Sequence, residues 1–584
     1  MSRPDWIVLV MTLLGIIAYG LYKGRTSRNL DGYFLSNRTV PWYMILLGIM
    51  GTQASAVTFL SAPGQAYTDG MRFVQNYFGL PLAMIVVCIS FVPVFRRLKV
   101  YTAYEYLEQR FDLKTRAFTS FLFLLQRGLS TGISIAAPSI ILSSLLGWNI
   151  LWTNIFMGGL LIIYTVTGGA KAVAYTQQLQ MIIIFSGMSI AGYMLIHRLP
   201  PGVGLREALH IGGKAGKLNI VTTGFRPGGR GFDWNDKYNL LSGVIGGFFL
   251  QLSYFGTDQS QVGRYLTARS LRESRLGLLL NGLVKVPMQF LILLLGVLVF
   301  AFYQFNREPV FFNRSQLELL AHSKYKDSLV LVTREYDAAE TERLAAAPSF
   351  AAGSATSAGD ANSATSAGRA KAAEHLLAAE QQKTSFKTTI RRWLNDKDVG
   401  GDSNDTNYIF LRFVTDYLPI GLVGLLIAVI VLAAWGSIAA TLNALSSCTI
   451  VDFHRRFSKR PMTEEKEYRL SRLYTLLWGI FCVAMAQLAY NLGNSLIEAV
   501  NVLGSLFYGV ILGIFLVAFY RKKTGSGAVF ISAVIIEICV IVLTVLSRKG
   551  IVPLSFLWFN VVGAIGVVLL SEVLQLLFPK PKIN

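Results

Sequence analysis

Long apolar runs alternate with short polar stretches along almost the whole chain, and the runs have the length of membrane spans. They begin near Trp6, Trp42, Tyr77, Phe118, Ile150, Val173, Leu240, Leu276, Ile420, Leu473, Leu496, Ala528 and Leu554. At roughly 20 residues per crossing they predict an all-α, polytopic membrane protein of about 13 transmembrane helices. Two runs are interrupted by nearly the same polar pattern, L-x-x-x-G-T-(Q/D)-x-S, from Leu47 to Ser55 and from Leu252 to Ser260. A break in a spanning helix leaves backbone groups unpaired, so it persists only where it lines a cavity or coordinates something. Either stretch alone reads equally well as a close helix-packing site of small residues. A matched pair in the two halves points to the binding site of a secondary transporter built from repeats.

Composition agrees with the pattern. Of 584 residues 53% are hydrophobic and only 15% charged, and the mean hydropathy of +0.48 lies far from that of a soluble domain. No small-residue cleavage site follows the first span, so no removable leader is predicted. The net charge of +21 raises the question of nucleic acid, and its distribution answers it. Lys23, Arg25, Arg28 and Arg38 follow the first span, and Arg96, Arg97, Lys99, Arg110, Lys114 and Arg116 the third. Arg264, Arg269, Arg272 and Arg275 follow the seventh, Arg455, Arg456, Lys459, Arg460, Lys466 and Arg469 the ninth, and Arg521, Lys522 and Lys523 the eleventh. Every second loop is basic, which predicts an outer N-terminus and an inner Lys580-Pro-Lys582 tail; Arg548 and Lys549 are the mild exception. A nucleic-acid footprint would be one contiguous basic face, so no nucleic-acid partner is expected. The partners expected are a small-molecule solute and the lipid bilayer, and no protein partner is evident.

Enzyme chemistry has no foothold in the motifs. There is no H-E-x-x-H or G-x-S-x-G, and the stretch Gly212 to Lys217 lacks the first glycine of a phosphate loop. Cys88, Cys448, Cys482 and Cys539 lie in or beside apolar spans without metal-ligand spacing and read as packing residues. Between the eighth and ninth spans, over 305–408, the chain turns polar and repeats Ser-Ala-Thr-Ser-Ala-Gly at Ser354 and Ser363. Such a composition predicts a flexible outer excursion, flanked by helix-capable stretches from Glu335 to Ala347 and from Ala370 to Trp393.

Three stretches carry a family resemblance: Tyr164 to Thr176 (YTVTGGAKAVAYT), Gly256 to Leu266 with Asn281 to Pro287, and Leu442 to Asp452 (LNALSSCTIVD). Together they resemble the sodium/solute symporter family, which includes the sodium/glucose, proline, iodide and multivitamin cotransporters. The resemblance implies two inverted five-helix repeats with discontinuous first helices. The organisation that follows is an extra helix and inner loop over 1–40, a first repeat over 41–238, a second over 239–520 interrupted by the polar loop, and two extra helices over 521–584. It also implies sodium-coupled symport of a small organic solute or anion by alternating access, in a plasma membrane or, in a bacterium, the inner membrane. A non-transporting solute sensor of the same fold is the alternative, but no appended signalling domain follows the last helix. A channel would need a continuous polar stripe, which the apolar spans do not show.

By the same resemblance the sodium site comprises the carbonyls of Gly51 and Ala54 with Ala433, Gly436 and Ser437. Relatives usually carry hydroxyls at the last two positions, and here only Ser437 does, with water or Thr441 as a substitute for the missing oxygen. Gln177 stands where many relatives have an aspartate supporting a second cation, so one coupling ion is expected. The solute pocket implied comprises Gln53, Thr58, Tyr77, Tyr254, Phe255, Lys285 and Asn501. Tyr77 replaces a glutamate of the glucose carriers. The stretch Ala54 to Tyr67 is closer to the iodide and multivitamin branch, which handles anions, and Lys285 with Arg127 could supply positive charge. Arg127 also reads as a structural residue, bonded to a carbonyl or reaching toward the interface.

Overall fold

The computed structural model describes residues 2–24, 30–226, 231–355, 382–458, 463–489 and 496–577. Among them the secondary structure is helical, with two isolated bridges and no strand. Nine helical stretches among the described residues are long and apolar enough to cross a membrane. The helices used below are α1 (Arg3–Gly24), α2 (Trp42–Gln53), α3 (Ala56–Asp69), α4 (Leu113–Leu146), α5 (Ile150–His197), α6 (Gly247–Thr257), α7 (Gln259–Leu266) and α8 (Leu271–Phe305). They are followed by α9 (Leu422–Cys448), α10 (Glu464–Ala489), α11 (Leu496–Tyr520), α12 (Ser526–Arg548) and α13 (Phe556–Leu577).

Burial separates the helices by role. The span containing α9 is 89% buried and α11 72%, whereas α1 is 22% buried and α12 33%. The first pair forms the centre of the bundle and the second faces outward, so the apolar surface of α1 and α12 has lipid as its partner. A straight 48-residue helix would be roughly 70 Å long, more than twice the hydrocarbon thickness, and α5 is accordingly two helical segments joined by a kink. At Gly169 φ is +59° and ψ −170°, and a Cβ there would lie 2.9 Å from the Tyr33 ring. Only glycine fits that turn.

Both polar interruptions are helix breaks. The first separates α2 from α3 at Ala54 (φ −84°, ψ 80°) and Ser55 (φ −80°, ψ 171°). The second separates α6 from α7 at Asp258 (φ −79°, ψ 118°). Each falls directly after its Gly-Thr pair or one residue later, so equal sequence patterns make equal breaks.

The polar segment over 305–408 corrects the expectation of a flexible excursion in the part that is described. Arg314–Ala321, Lys326–Ala355 and residues 382–394 are helical. Val310, Phe311, Leu320, Leu329, Tyr336, Ile390 and Leu394 form a small apolar core of their own. Beside it lies a buried charge cluster, in which Glu308 pairs with Lys383 and Lys387 at 2.5 Å each and Glu340 with Arg343 at 2.7 Å. These cations hold the Glu308 carboxyl well below the usual carboxylate range despite its burial. The sequence pattern missed the core because its apolar residues are contributed by three short pieces far apart in the chain. Most of the first hexapeptide repeat and all of the second lie outside the described residues. The segment is fastened to α3: Ser61 Oγ donates to Asn407 Oδ1 at 2.6 Å, and Tyr67 Oη to Glu308 Oε1 at 2.6 Å.

Candidate functional site

The first break and α6 meet α4, α9 and α11 around a cavity of about 110 Å³. One water-sized sphere needs roughly 10–15 Å³ on this measure, so the space suits a small solute. From the first break come Thr52, Gln53, Ser55 and Thr58, and from the following turns Asn76 and Tyr77. Leu250, Gln251 and Tyr254 come from α6, Ser437, Ile438 and Thr441 from α9, and Val500, Asn501, Gly504 and Tyr508 from α11. Gln126, Arg127, Thr131 and Ser134 of α4 complete the wall.

Of the solute residues expected, Gln53, Thr58, Tyr77, Tyr254 and Asn501 line this cavity. Phe255 and Lys285 do not. Phe255 is fully buried and packs edge-on against Tyr254 at 5.0 Å. Lys285 is fully buried behind Tyr77, its Nζ 5.6 Å from the ring centroid and without a hydrogen-bond partner among the described residues. A helix has two sides, and adjacency in sequence to Tyr254 put Phe255 on the wrong one.

Arg127, Asp258, Tyr254 and Tyr508 form the polar centre of the wall. Arg127 Nε donates to Asp258 Oδ2 at 2.5 Å, and Tyr508 Oη donates to the same oxygen at 2.8 Å. The other oxygen, Oδ1, accepts from Ser260 N at 2.8 Å and Ser260 Oγ at 2.6 Å, which caps α7. The guanidinium lies 4.9 Å from the Tyr254 centroid. Its Nη2 is buried and has no hydrogen-bond partner among the described residues. Arg127 therefore has both a structural tie through Nε and an unused donor in a cavity-lining side chain. Sequence reasoning did not place Gln126, Thr131, Ser134, Gln251 or Tyr508 at the site. The signal was present: Arg127, Thr131 and Ser134 recur at helical spacing on one face of an otherwise apolar span, as do Asn501, Gly504 and Tyr508.

At the first break the Ser55 amide, which a continuous helix would give to Gly51, bonds the Gln53 carbonyl at 3.1 Å. The Thr58 amide likewise bonds the Ser55 carbonyl at 2.9 Å instead of that of Ala54. The carbonyls of Gly51 and Ala54 are thus released from the helical ladder. Among the expected cation positions Ser437 lines the cavity and donates to the Ala434 carbonyl at 3.0 Å. Gly51, Ala54, Ala433 and Gly436 are buried. Gln177 bridges the two helices, donating from Nε2 to Gly436 O at 2.9 Å and to Thr52 Oγ1 at 3.0 Å. Among the described residues no cluster of three His, Cys, Asp or Glu side chains could hold a metal. Oxygens from carbonyls, hydroxyls and amides suit a hard monovalent cation, whereas divalent ions take carboxylates.

A helical bundle with two broken helices around a central polar cavity defines the class of secondary membrane transporters. The chain belongs to the sodium:solute symporter family, whose model matches residues 33–313 and 386–536. It is a sodium-coupled symporter of the membrane, a transporter and not an enzyme, which sets the sensor alternative aside. The sodium/sialic acid symporter SiaT of Proteus mirabilis is 24% identical over 579 residues, covering 99% of this chain and 96% of its own. The human sodium/iodide cotransporter is 29% identical over 334 residues, 56% of this chain and 49% of that protein. A solved outward-open, substrate-bound Na+-coupled sialic acid symporter shares the fold, with a TM-score of 0.73 at 23% identity over 99% of this chain and 98% of that one.

Proposed function

We propose that this chain uses one sodium ion per cycle to accumulate a small anionic solute, bound in the cavity between the first helix break and α6. The observation that carries the anion is Arg127, a cavity-lining cation with one donor tied to Asp258 and a second, Nη2, unpaired. With a small turn of the guanidinium toward the cavity, a carboxylate would take the Nη2 donor as a charge-assisted hydrogen bond. Sialic acid, iodide and monocarboxylates, the solutes in the names of similar proteins, are all anions at neutral pH.

In this reading Gln53, Thr58, Tyr77, Tyr254 and Asn501 hold the solute, Phe255 backs Tyr254, and Lys285 backs Tyr77. Sodium binds to the carbonyls of Gly51, Ala54 and Ala433 and the hydroxyl of Ser437, beside Gly436. Gln177 offers an amide and no charge, which favours a single coupling ion. Tyr254, beside the second break, closes the path on one side, and the ion and solute share the first broken helix, so binding of one favours the geometry the other needs.

We also propose thirteen spans, with two inverted five-helix repeats over 41–238 and 239–520, flanked by 1–40 and 521–584. The N-terminus lies outside and the C-terminus in the cytoplasm. The kink that divides α5 at Gly169 and the similar breaks in α2–α3 and α6–α7 support that organisation. The basic loops support the orientation.

The experiment is uptake into proteoliposomes from a panel of sugars, monocarboxylates, amino acids and inorganic anions, with sodium or potassium gradients. Accumulation of an anion that needs sodium and is lost in Arg127→Gln is the expected result. Accumulation of a neutral sugar undiminished in that variant would refute the anion assignment, and uptake driven equally by potassium would refute the sodium site.

A further inference from the structure

Between the second segment of α5 and α8 lies a crevice of about 570 Å³ with almost wholly apolar walls. It is separate from the solute cavity, and no residue lines both. The two helices are membrane spans, and the mouth residues Tyr193, Leu283 and Leu291 are 66%, 64% and 60% exposed, so the crevice opens to the bilayer. Its origin is legible in the residues. Ser189 and Gly192, one turn apart on α5, present little side chain, and Pro287 presents only a compact ring on α8. The floor is Phe59, which is 1% exposed and directly follows the cavity-lining Thr58. Crevice and cavity therefore lie against the same turn of α3.

An unfilled space of this size forfeits the dispersion contacts of every group around it, and apolar walls do not hold water. In a bilayer the matching occupant is hydrocarbon. Charge at one end narrows the choice further. Ile196 and Leu205 close the crevice there, and Arg198 and Arg206, within two residues of them, are exposed. Glu207 is the single acid from His197 to Lys214, and its Oε2 accepts from the Gly204 amide at 2.8 Å. The rim is basic and complements a lipid phosphate.

We propose that the crevice holds one acyl chain of an anionic phospholipid, with the phosphate at Arg198 and Arg206, and that this chain braces α3 from behind Phe59. The lipid then acts on the helix segment that carries Thr58 without entering the solute cavity.

The test uses the full-length protein in phosphatidylcholine nanodiscs doped with phosphatidylglycerol that carries a diazirine in one acyl chain, with labelled peptides mapped by mass spectrometry. Label should concentrate on residues 185–196 and 283–298, several-fold above that on the lipid-facing α1 and α12. Ser189→Trp and, on the other wall, Leu291→Trp fill the crevice and should each remove that excess. Ile182→Trp, exposed on α5 outside the crevice, should leave it intact. The double variant Arg198→Gln/Arg206→Gln should reduce labelling about fivefold, to the level given by phosphatidylcholine bearing the same chain. Hydrogen exchange over 56–69 should be slower with phosphatidylglycerol than with phosphatidylcholine alone in the parent, and equal in the double variant, with thermal unfolding confirming that each variant is folded. Label spread evenly around the bundle, or retained in both tryptophan variants, overturns the site. Equal labelling by the two lipids, or displacement by a sterol and not by unlabelled phosphatidylglycerol, overturns the phospholipid assignment. Exchange over 56–69 that ignores the lipid overturns the bracing of α3.

Discussion

Replacing Asp258 by asparagine tests whether the charge pair at the second helix break holds the site together. The carboxylate side chain is fully buried, Arg127 is 11% exposed, and their contact is 2.5 Å. With charge centres roughly 4 Å apart at an effective dielectric near 20, the attraction is about 4 kcal/mol. Removing one partner of such a pair leaves the other buried and unmatched, at a cost of about 3–5 kcal/mol. Asparagine still offers one oxygen to Ser260 and so keeps most of the α7 cap, which confines the loss to the charge. Titration of the purified protein with denaturing detergent, followed by tryptophan fluorescence, should show Asp258→Asn less stable than the parent by about 3 kcal/mol. Arg127→Met with Asp258→Asn should lose less than the two single losses added, giving a coupling of at least about 1 kcal/mol. An anionic substrate should protect Asp258→Asn more than the parent, since the guanidinium then has no other counter-charge. Equal stability of Asp258→Asn and the parent, or strict additivity in the cycle, would refute the pair as an organising element.

Further consequences follow from single contacts. Gly64→Ala would place a Cβ 1.9 Å from the Thr406 carbonyl oxygen, so it should lift the 402–408 strand of chain off α3, exposing it to protease and lowering uptake; unchanged proteolysis would refute the docking. Tyr254→Ala should lower uptake strongly and solute binding less, and parallel losses would show that the ring binds without gating. Ser437→Ala should raise the sodium concentration for half-maximal uptake while leaving membrane insertion unchanged, and a parent-like value removes this hydroxyl from the site. Burial pushes the Asp402 carboxyl up to about 6. Its folded form binds a proton that the unfolded chain releases near 3.8, so the stabilisation is complete at low pH and disappears as pH rises through about 6. The segment over 305–408 should therefore gain about 1 kcal/mol between pH 7 and pH 5, read by protease resistance, and Asp402→Asn should abolish that gain.

Several elements were legible before any coordinates because they depend on local pattern. The breaks at Ala54 and Asp258 follow from polar, glycine-bearing interruptions of apolar runs, since a bilayer penalises every backbone group left without a partner. Helices begin at Trp42 and Ile150, where the apolar runs begin. The small core formed by Phe311, Tyr336 and Ile390 was not legible, because its members are separated by stretches that look disordered by composition.

The sequence by itself determined that this is a multi-spanning helical membrane protein, the family it belongs to, and the positions of the two broken helices, all of which are set by hydropathy and short-range motif. Only the tertiary structure decided which side chains share the cavity. It brought Arg127 onto Asp258 across 131 positions of chain and turned Phe255 away from the site. Such meetings depend on how helices from different parts of the chain rotate and pack against one another, and no local pattern carries that information.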